Sequence, residues 1–437
     1  FEPSDLVKPL THVNGNIRFR GDRIETSRLN VQLGSSPLSL KGMMTHLKKP
    51  VYALTFSSPD LDVADIGLRH PKQSVRLKNI SARATYTGSD LHISSMMFHL
   101  NDSIVNVKGL IADLDSPKIE MTLASPYLDT SDLLILAQLD STRKTKTLPS
   151  RIRLKADLSV DSGKIGKVPF RKLQSALALE ENILYLDGFE FLALGGKISG
   201  KSRIDLANGG SPRYQSGFKL DKLSLEQCFQ LFDIQEGLIT GSLSAQGDLT
   251  AKGEKAEELK KTLLGNVRVQ MEKGTLKKFS ALSKIFSILN VSQLLKLQLP
   301  DMAVGGMPYD RITATLSFKD GILSSKDCLV KSDAMNLVAV GNLDIVRMEL
   351  FETTVGVQPL QTVDKVVSLI PVVGWILTDK NRNVISVYFE LKGPVGDVEA
   401  TVIPVKSMSR GIFDIFKNIF QLPAKLFTDT GEVILGR

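Results

Sequence analysis

Residues 33–66 read LGSSPLSLKGMMTHLKKPVYALTFSSPDLDVADI, and residues 100–133 read LNDSIVNVKGLIADLDSPKIEMTLASPYLDTSDL. The second stretch repeats the first 67 residues later and without a gap. Twelve of the 34 positions are identical, where average residue usage gives about two matches. The duplication predicts a protein built from repeated units. The identities include a serine, a glycine and two aspartates in each copy: Ser36 and Ser103, Gly42 and Gly109, Asp62 and Asp129, Asp65 and Asp132.

Each copy alternates apolar and polar residues, which is typical of strands with one apolar face, because side chains two residues apart share a face. The first strand of each copy places on that face Leu38, Leu40, Gly42 and Met44, or Val105, Val107, Gly109 and Ile111. The second strand places there Tyr52, Leu54 and Phe56, or Ile119, Met121 and Leu123. The function therefore depends on what covers this apolar face.

The alternation continues along the chain and predicts a mainly β protein. Later strands place on their apolar faces Leu154 and Leu158, Leu243, and Val387 and Phe389. Parallel strands buried on both faces would read as unbroken apolar runs, so the pattern favours antiparallel meanders. Four glycines stand inside alternating strands and predict bends or bulges in a curved sheet: Gly42, Gly109, Gly200 and Gly341.

Three stretches, residues 282–297, 366–377 and 412–427, are predicted to be helical, the first and third from amphipathic spacing. Each is expected to pack on the sheet, to plug the end of a groove, to dock on a membrane or to bind a partner. Their candidate contact residues are Ile285, Phe286, Trp375, Phe413, Phe416 and Phe420. We divide the chain into duplicated modules over 1–140, a middle module over 141–236 and a C-terminal region over 237–437.

Three helices are too few to cover so many one-faced strands. A buried Leu or Val side chain contributes about 1.5–3 kcal/mol, so dozens of apolar positions cannot all face water. The sheet can close as a sandwich, close as a barrel, or curl into a long trough that holds an apolar ligand. The pattern alone favours the first two closures over the third.

The composition disfavours several classes of partner and activity. The formal net charge is +8 with no basic block, which disfavours nucleic acid as a partner and is compatible with anionic membrane surfaces. The two cysteines, Cys228 and Cys328, form no metal motif, and we expect two buried free thiols. The sequence offers no nucleophile, base or metal set, so we predict a protein that is not an enzyme and needs no cofactor.

Two apparent motifs have simpler explanations. Residues 195–202, GGKISGKS, match the phosphate-loop pattern. The residues around Gly200 continue the alternation of a strand, and the sequence predicts no helix after them, whereas a phosphate loop needs one. We therefore predict no nucleotide binding. The aspartates near Asp65 and Asp132 could hold calcium. Their position after a Ser-Pro pair makes turn or helix-capping residues the preferred interpretation, with short helical turns following them.

The membrane relationship of the chain is also constrained. The longest uncharged apolar run, residues 366–378, has 13 residues, whereas a spanning helix needs about 20. The first residue is Phe1 rather than Met, so we expect a processed or excised piece.

The C-terminal half contains a series of short motifs in a characteristic order: KIFSILNV (284–291), LPD (299–301), GMPYD (306–310), LSFKDG (316–321), GNLD (341–344), GVQPL (356–360), IPVVGW (370–375) and FELKGP (389–394). This order resembles the C-terminal region of the AsmA-like family of Gram-negative envelope proteins, to which YhdP and TamB are related. The resemblance is most specific over residues 237–425. The duplicated segments within residues 15–133 resemble the N-terminal portion of the family less specifically.

The resemblance implies the third closure, a long curved antiparallel sheet that forms a repetitive β-groove, or taco-like trough. It implies a periplasmic protein, anchored in the inner membrane by an N-terminal segment missing from this chain, that carries phospholipid between the inner and outer membranes and supports envelope biogenesis. Its partners would be phospholipid, membrane surfaces and envelope proteins, and the apolar strand residues named above would line the groove. The alternative is a non-enzymatic assembly factor that guides outer-membrane proteins through its β-edges.

Overall fold

The computed structural model describes residues 8–113, 116–141, 153–206, 211–231, 239–277, 284–285, 306–333, 335–360, 377–378 and 385–421. The described chain is mainly β, with curved antiparallel sheet and a few short helices, which confirms the predicted fold class. It forms two compact units, Phe1–Pro212 and Arg213–Arg437. The sequence predicted a division into three parts. That division follows the duplicated segments, whereas the two units are defined by compactness, so it stays a prediction.

The first unit contains strands β1 (Leu10–Gly15), β2 (Arg18–Arg20), β3 (Arg23–Leu33), β4 (Ser36–Thr45), β5 (Val51–Asp62), β6 (Leu68–Arg69), β7 (Arg76–Tyr86), β8 (Leu91–Leu100), β9 (Ser103–Ala112), β10 (Lys118–Asp129), β11 (Asp140–Ser141), β12 (Arg153–Ile165), β13 (Val168–Glu180), β14 (Ile183–Ala193) and β15 (Gly196–Asp205). Helix α1 (Thr130–Ala137) follows β10. β1 and β2 both pair with β3, and the order then runs β3-β4-β5-β7-β8-β9-β10-β12-β13-β14-β15. The pairs are antiparallel except β10–β12, which is parallel.

The second unit contains strands β16 (Arg213–Ser224), β17 (Ser242–Lys252), β18 (Leu264–Leu276), β19 (Met307–Lys319), β20 (Ile322–Lys331), β21 (Met335–Asp344), β22 (Glu349–Pro359), β23 (Leu377–Thr378), β24 (Ile385–Pro394) and β25 (Glu399–Val402). Its helices are α2 (Leu225–Leu231), α3 (Ala256–Thr262) and α4 (Arg410–Gln421). Sequential antiparallel pairing joins β16 to β22, and β24 then lies between β22 and β25. Both units are therefore antiparallel meanders, apart from the single parallel pair described above.

The duplicated serine and aspartates form the same long-range hydrogen bonds in both copies. Ser36 Oγ donates to Asp65 Oδ2 at 2.7 Å and accepts from the Asp62 N–H at 2.9 Å. Ser103 Oγ donates to Asp132 Oδ2 at 2.6 Å and accepts from the Asp129 N–H at 2.9 Å. Both serines are fully buried. These identities therefore serve the fold, because a buried hydroxyl must satisfy its hydrogen bonds.

The capping interpretation of the aspartates is confirmed. Asp129 is the N-cap of α1, and its side chain accepts from the Ser131 N–H at 2.9 Å. Asp62 accepts from the Ala64 N–H in the same manner at 2.9 Å. A helix follows the second copy, whereas residues 63–67 at the equivalent place in the first copy form turns.

The four glycines predicted to mark bulges all do so. Gly42, Gly109, Gly200 and Gly341 each pair with a residue beside a register shift on the preceding strand. The shifts between Thr26 and Leu29 and between Ile93 and Met96 lie 67 residues apart, so the bulge is duplicated with the sequence. Extra residues in one strand bend a sheet and increase its twist. The two copies of the duplicated segment therefore bend the sheet at equivalent positions.

We expect Gly109→Ala to destabilise the protein by about 1–3 kcal/mol, because overpacking forces a backbone shift. A Cβ at Gly109 would collide with the carbonyl oxygen of Glu120 and would lie 2.9 Å from Met121 Cα, and backbone atoms cannot rotate away. Gly396→Ala is the matched control, because a Cβ there meets nothing within 4 Å. Urea unfolding measures both changes, and an unchanged midpoint for Gly109→Ala would contradict the prediction.

Candidate functional site

A continuous line of apolar side chains crosses the sheet of the first unit. Each member is the register partner of the next on one face of the sheet. Strands lie about 4.8 Å apart, so the line is about 50 Å long. We call it the apolar row: Phe19, Ile24, Met44, Tyr52, Tyr86, Leu91, Ile111, Ile119, Leu154, Leu179, Leu184 and Ile204.

The apolar row is partly open to solvent along its whole length. Its members from Ile24 to Ile204 are half-buried, and none of them belongs to the packed core of the unit. Phe19, at the β2 end, is 74% exposed. Soluble proteins rarely leave a contiguous apolar surface of this size uncovered, and such a surface usually marks a binding site. The row is therefore our candidate functional site.

The same face of the sheet is closed toward the other ends of the strands. Leu128 and Val160 are 2% and 1% exposed in the core of the unit. Leu133, Ile135 and Leu136 of α1 pack against this core. One face is thus covered by protein at one end of its strands and open at the other, which is the geometry of a groove rather than of a closed sandwich.

The groove residues predicted for the first unit lie either in or beside the open apolar row, or in or against the closed core. Tyr52, Ile119 and Leu154 belong to the apolar row, and Leu54, one step further along its strand, is 40% exposed. Val105 and Val107 are 7% and 8% exposed and belong to the core. The remaining candidates are half-buried, and all of these except Leu40 are packed against that core: Leu38, Leu40, Phe56, Met121, Leu123 and Leu158.

The second unit has an equivalent line of half-buried apolar side chains. Leu249, Phe318, Leu323, Leu343 and Leu350 follow one another in register, with Gly265 between the first two. The same face is closed at the other end of the strands, where Ile285, Val387 and Phe389 are 0%, 2% and 0% exposed in a core cluster. Leu243 is half-buried in register with Met271, which packs against that cluster.

This core corrects one expectation made from the sequence and decides between the alternatives left open for Ile285. Val387 and Phe389 contact protein on all sides, so they lie in a closed core rather than on an open groove wall. Ile285 is buried in the same cluster, so in this structure it cannot contact a membrane. Tight packing of these side chains excludes an additional ligand, because a core has almost no empty volume.

Helix α4 packs on the opposite face of the second sheet. Phe416 is 0% exposed and meets Tyr388 edge to face, with ring centroids 5.2 Å apart. Phe420 is partly buried beside it, and Phe413 is half-buried. The helix predicted over residues 412–427 is confirmed as far as Gln421, and residues 422–427 lie outside the described residues. Packing on the sheet replaces membrane contact for Phe416. Phe286 and Trp375 lie outside the described residues.

Two covered faces also explain an irregular strand. Along β21 the strict alternation fails, because Val338 and Val340 are apolar between Leu337, Ala339 and Gly341. Leu337 faces the inner core, whereas Val338 and Val340 face α4. A strand buried on both faces has no position that must be polar.

The other sequence motifs form no second site in the described part of the chain. The phosphate-loop match continues into β15 rather than into a helix, as predicted. No group of three or more His, Cys, Asp or Glu side chains among the described residues could hold a metal ion. Cys228 and Cys328 are free, and burial raises the pKa of the Cys328 thiol to about 11. The high pKa makes this thiol a poor nucleophile at neutral pH.

Most of the apolar row escaped sequence reasoning. Tyr52, Ile119 and Leu154 were predicted groove residues, and Met44 and Ile111 were placed on the apolar face. The other seven members were not singled out, although residues 76–86 and 183–193 contain apolar alternation that could have indicated some of them: Phe19, Ile24, Tyr86, Leu91, Leu179, Leu184 and Ile204. What joins them into one line is strand register. Register depends on pairing between strands and on bulges, so it is difficult to read from a single sequence.

These features define a class of protein: a repeat-built antiparallel β-sheet that leaves one apolar strip of its face open. The family model described as YhdP protein matches residues 65–397, which is more than half of the chain. The chain therefore belongs to the YhdP family. No curated protein matched the sequence. Among the described residues, no helix is long and apolar enough to span a membrane.

Proposed function

We propose that this chain is a bridge-like carrier that moves phospholipid between the inner and outer membranes across the periplasm. The observation that carries the proposal is the apolar row, which crosses the first unit without a polar interruption. Membership of the YhdP family supports it. The resemblance to AsmA-like envelope proteins supports the same class of activity and the periplasmic location.

The mechanism is desolvation without chemistry. An acyl chain gains about 0.8 kcal/mol for each methylene that leaves water. Because each row member adjoins the next at the spacing of neighbouring strands, a chain lying along the row can advance by one strand without losing its apolar contact. No covalent step, cofactor or nucleotide is needed for this movement.

The polar headgroup would stay in water at the rim of the sheet. The turn between β7 and β8 places the exposed residues Thr87, Gly88 and Ser89 directly beyond the row members Tyr86 and Leu91. Tyr86 keeps its ring in the row and donates its hydroxyl hydrogen bond to the Gly88 carbonyl oxygen at 2.8 Å. An aromatic residue with an apolar body and a polar tip is suited to such a boundary.

The alternative function, strand addition to outer-membrane proteins, has less support. The edge formed by β1 and β2 is irregular, with a register shift between Thr11 and Asn14, and it carries Arg18 and Arg20. Bulges and positive charges on an edge strand oppose pairing with another strand. These features favour binding of lipid on the face over binding of protein at the edge.

Native mass spectrometry of the purified chain tests the proposal. We expect phospholipid to copurify and to be lost in an acidic organic extraction. A chain that remains lipid-free after incubation with phospholipid vesicles, and that protects no residue of the apolar row from hydrogen exchange, would contradict the proposed function. Bound protein fragments in place of lipid would favour the assembly factor.

A further inference from the structure

We propose that the edge of the first sheet at β2 is a docking surface for an anionic phospholipid bilayer, through which the apolar row opens to the membrane. The inference rests on the proposed lipid-carrying function and adds the place where lipid enters or leaves. Its occupant is a bilayer surface rather than a second protein.

The apolar row reaches the sheet edge at this point. Phe19 pairs in register with Ile24, and Ile24 pairs with Met44. Phe19 is 74% exposed, the highest value among the exposed large apolar side chains of the described residues. Among those residues β2 pairs with β3 alone. Phe19 is therefore the strongly exposed member of the row at the β2 side of the described sheet.

A second exposed apolar side chain lies on the neighbouring hairpin. The turn from β4 to β5 is closed by a hydrogen bond from the Lys49 N–H to the His46 carbonyl oxygen at 2.8 Å. Leu47 in this turn is 52% exposed. Leu47 lies three residues after the row member Met44 and extends the apolar surface toward the rim. Exposed Phe and Leu side chains are those that insert into the headgroup and acyl boundary.

Basic residues adjoin the two apolar side chains in the sequence. Arg18 and Arg20 flank Phe19 on the opposite face of β2 and are exposed, and Lys48 and Lys49 follow Leu47 and are exposed. Arg20 Nε lies 3.9 Å from the Glu25 carboxylate. Arg23 begins β3, and its Nε lies 3.5 Å from the Glu25 carboxylate. The nearby acidic residues are Asp22 and Glu25, so five positive charges face two negative ones. Charge complementarity therefore favours an anionic surface, and basic side chains can extend to phosphates while their stems stay on apolar surface.

Vesicle flotation with the full chain tests the docking surface. We expect binding to mixed phosphatidylglycerol–phosphatidylcholine vesicles and weak binding to phosphatidylcholine alone. The double variant Arg18→Gln/Arg20→Gln should bind the mixed vesicles about 30-fold less tightly, because each basic residue near an anionic surface contributes about fivefold. Phe19→Ser should weaken binding about tenfold through lost apolar burial.

The matched control is Lys41→Gln/Lys108→Gln, which removes the same charge from exposed positions inside the polar face of the sheet. We expect it to change binding by less than about threefold. Equal losses in both double variants, binding that ignores phosphatidylglycerol, or self-association of the chain through this edge in place of vesicle binding would each overturn the proposal.

Lipid occupancy by native mass spectrometry, measured on the same variants, separates this inference from the proposed function. Copurified lipid in a chain that does not float with vesicles would overturn the docking surface and leave the lipid carrier intact. Vesicle binding by a chain that never holds lipid would overturn the carrier and leave the docking surface intact. Unchanged circular dichroism and unfolding midpoints will show that the variants are folded.

Discussion

Leu54→Asp and Leu154→Asp are expected to lower phospholipid transfer between donor and acceptor vesicles about 100-fold. A charged side chain placed against hydrocarbon costs about 2.5–3.5 kcal/mol, and a lipid sliding along the row must pass it. Leu54 is 40% exposed and Leu154 half-buried, so an aspartate at either position stays near water and the fold should tolerate it. Fluorescent lipid transfer gives the rate, and native mass spectrometry gives the occupancy.

Thr55→Asp and Lys155→Asp are the matched controls. Each introduces the same side chain at the next residue of the same strand, where it points to the opposite face. Lys155→Asp also removes a positive charge, so it changes the net charge by one unit more than Leu154→Asp does. We expect transfer within about twofold of the parent protein, because the opposite face offers no apolar path. Equal inhibition by a variant and its control would show that net charge, rather than the apolar row, governs transfer.

Phe416→Ala is expected to lower the free energy of unfolding of the second unit by about 3–5 kcal/mol, the usual cost of removing a buried aromatic ring. The ring is 0% exposed, it meets Tyr388, and it lies so close to Gly356 that a Cβ there would approach Phe416 Cδ1 to 2.8 Å. Loss of the ring removes the one fully buried side chain among the described residues of α4, while Ile412, Ile415 and Ile419 keep their partial packing on the sheet. Urea unfolding and hydrogen exchange of residues 410–421 measure the effect.

Phe413→Ala is the control within the same helix. Phe413 is half-buried and lies outside the aromatic cluster, so we expect a loss below about 1.5 kcal/mol. Gly356→Val provides an independent check, because it should displace α4 while leaving Phe416 intact. Stability unchanged in both Phe416→Ala and Gly356→Val would contradict the packing of α4 described above.

Much of the fold could be predicted from particular residues. The alternation of Leu154, Ala156, Leu158 and Val160 predicted β12, and the apolar spacing from Ile412 to Phe420 predicted α4. The four strand glycines marked bulges. Such local patterns are visible in one sequence because the period of a strand or helix determines which side chains share a face.

The site was only partly predictable. The alternation of apolar and polar residues correctly placed Tyr52, Ile119 and Leu154 on the apolar face of the sheet. Val387 and Phe389 alternate in the same way, yet they lie in a closed core. The difference arises from what packs above the strand, and that comes from distant parts of the chain. Ile285, about a hundred residues earlier in the sequence, belongs to the core around Val387.

The sequence by itself determined the β class, the capping of α1 by Asp129 and the existence of one apolar face, because each depends on residues close together in the chain. Only the tertiary structure decided which part of that face is open. Register brought Phe19, Tyr86 and Ile204 into one line, and α1 and the core residues closed the opposite ends of the strands. Exposure is a property of contacts between distant segments, and spacing along the chain does not contain it.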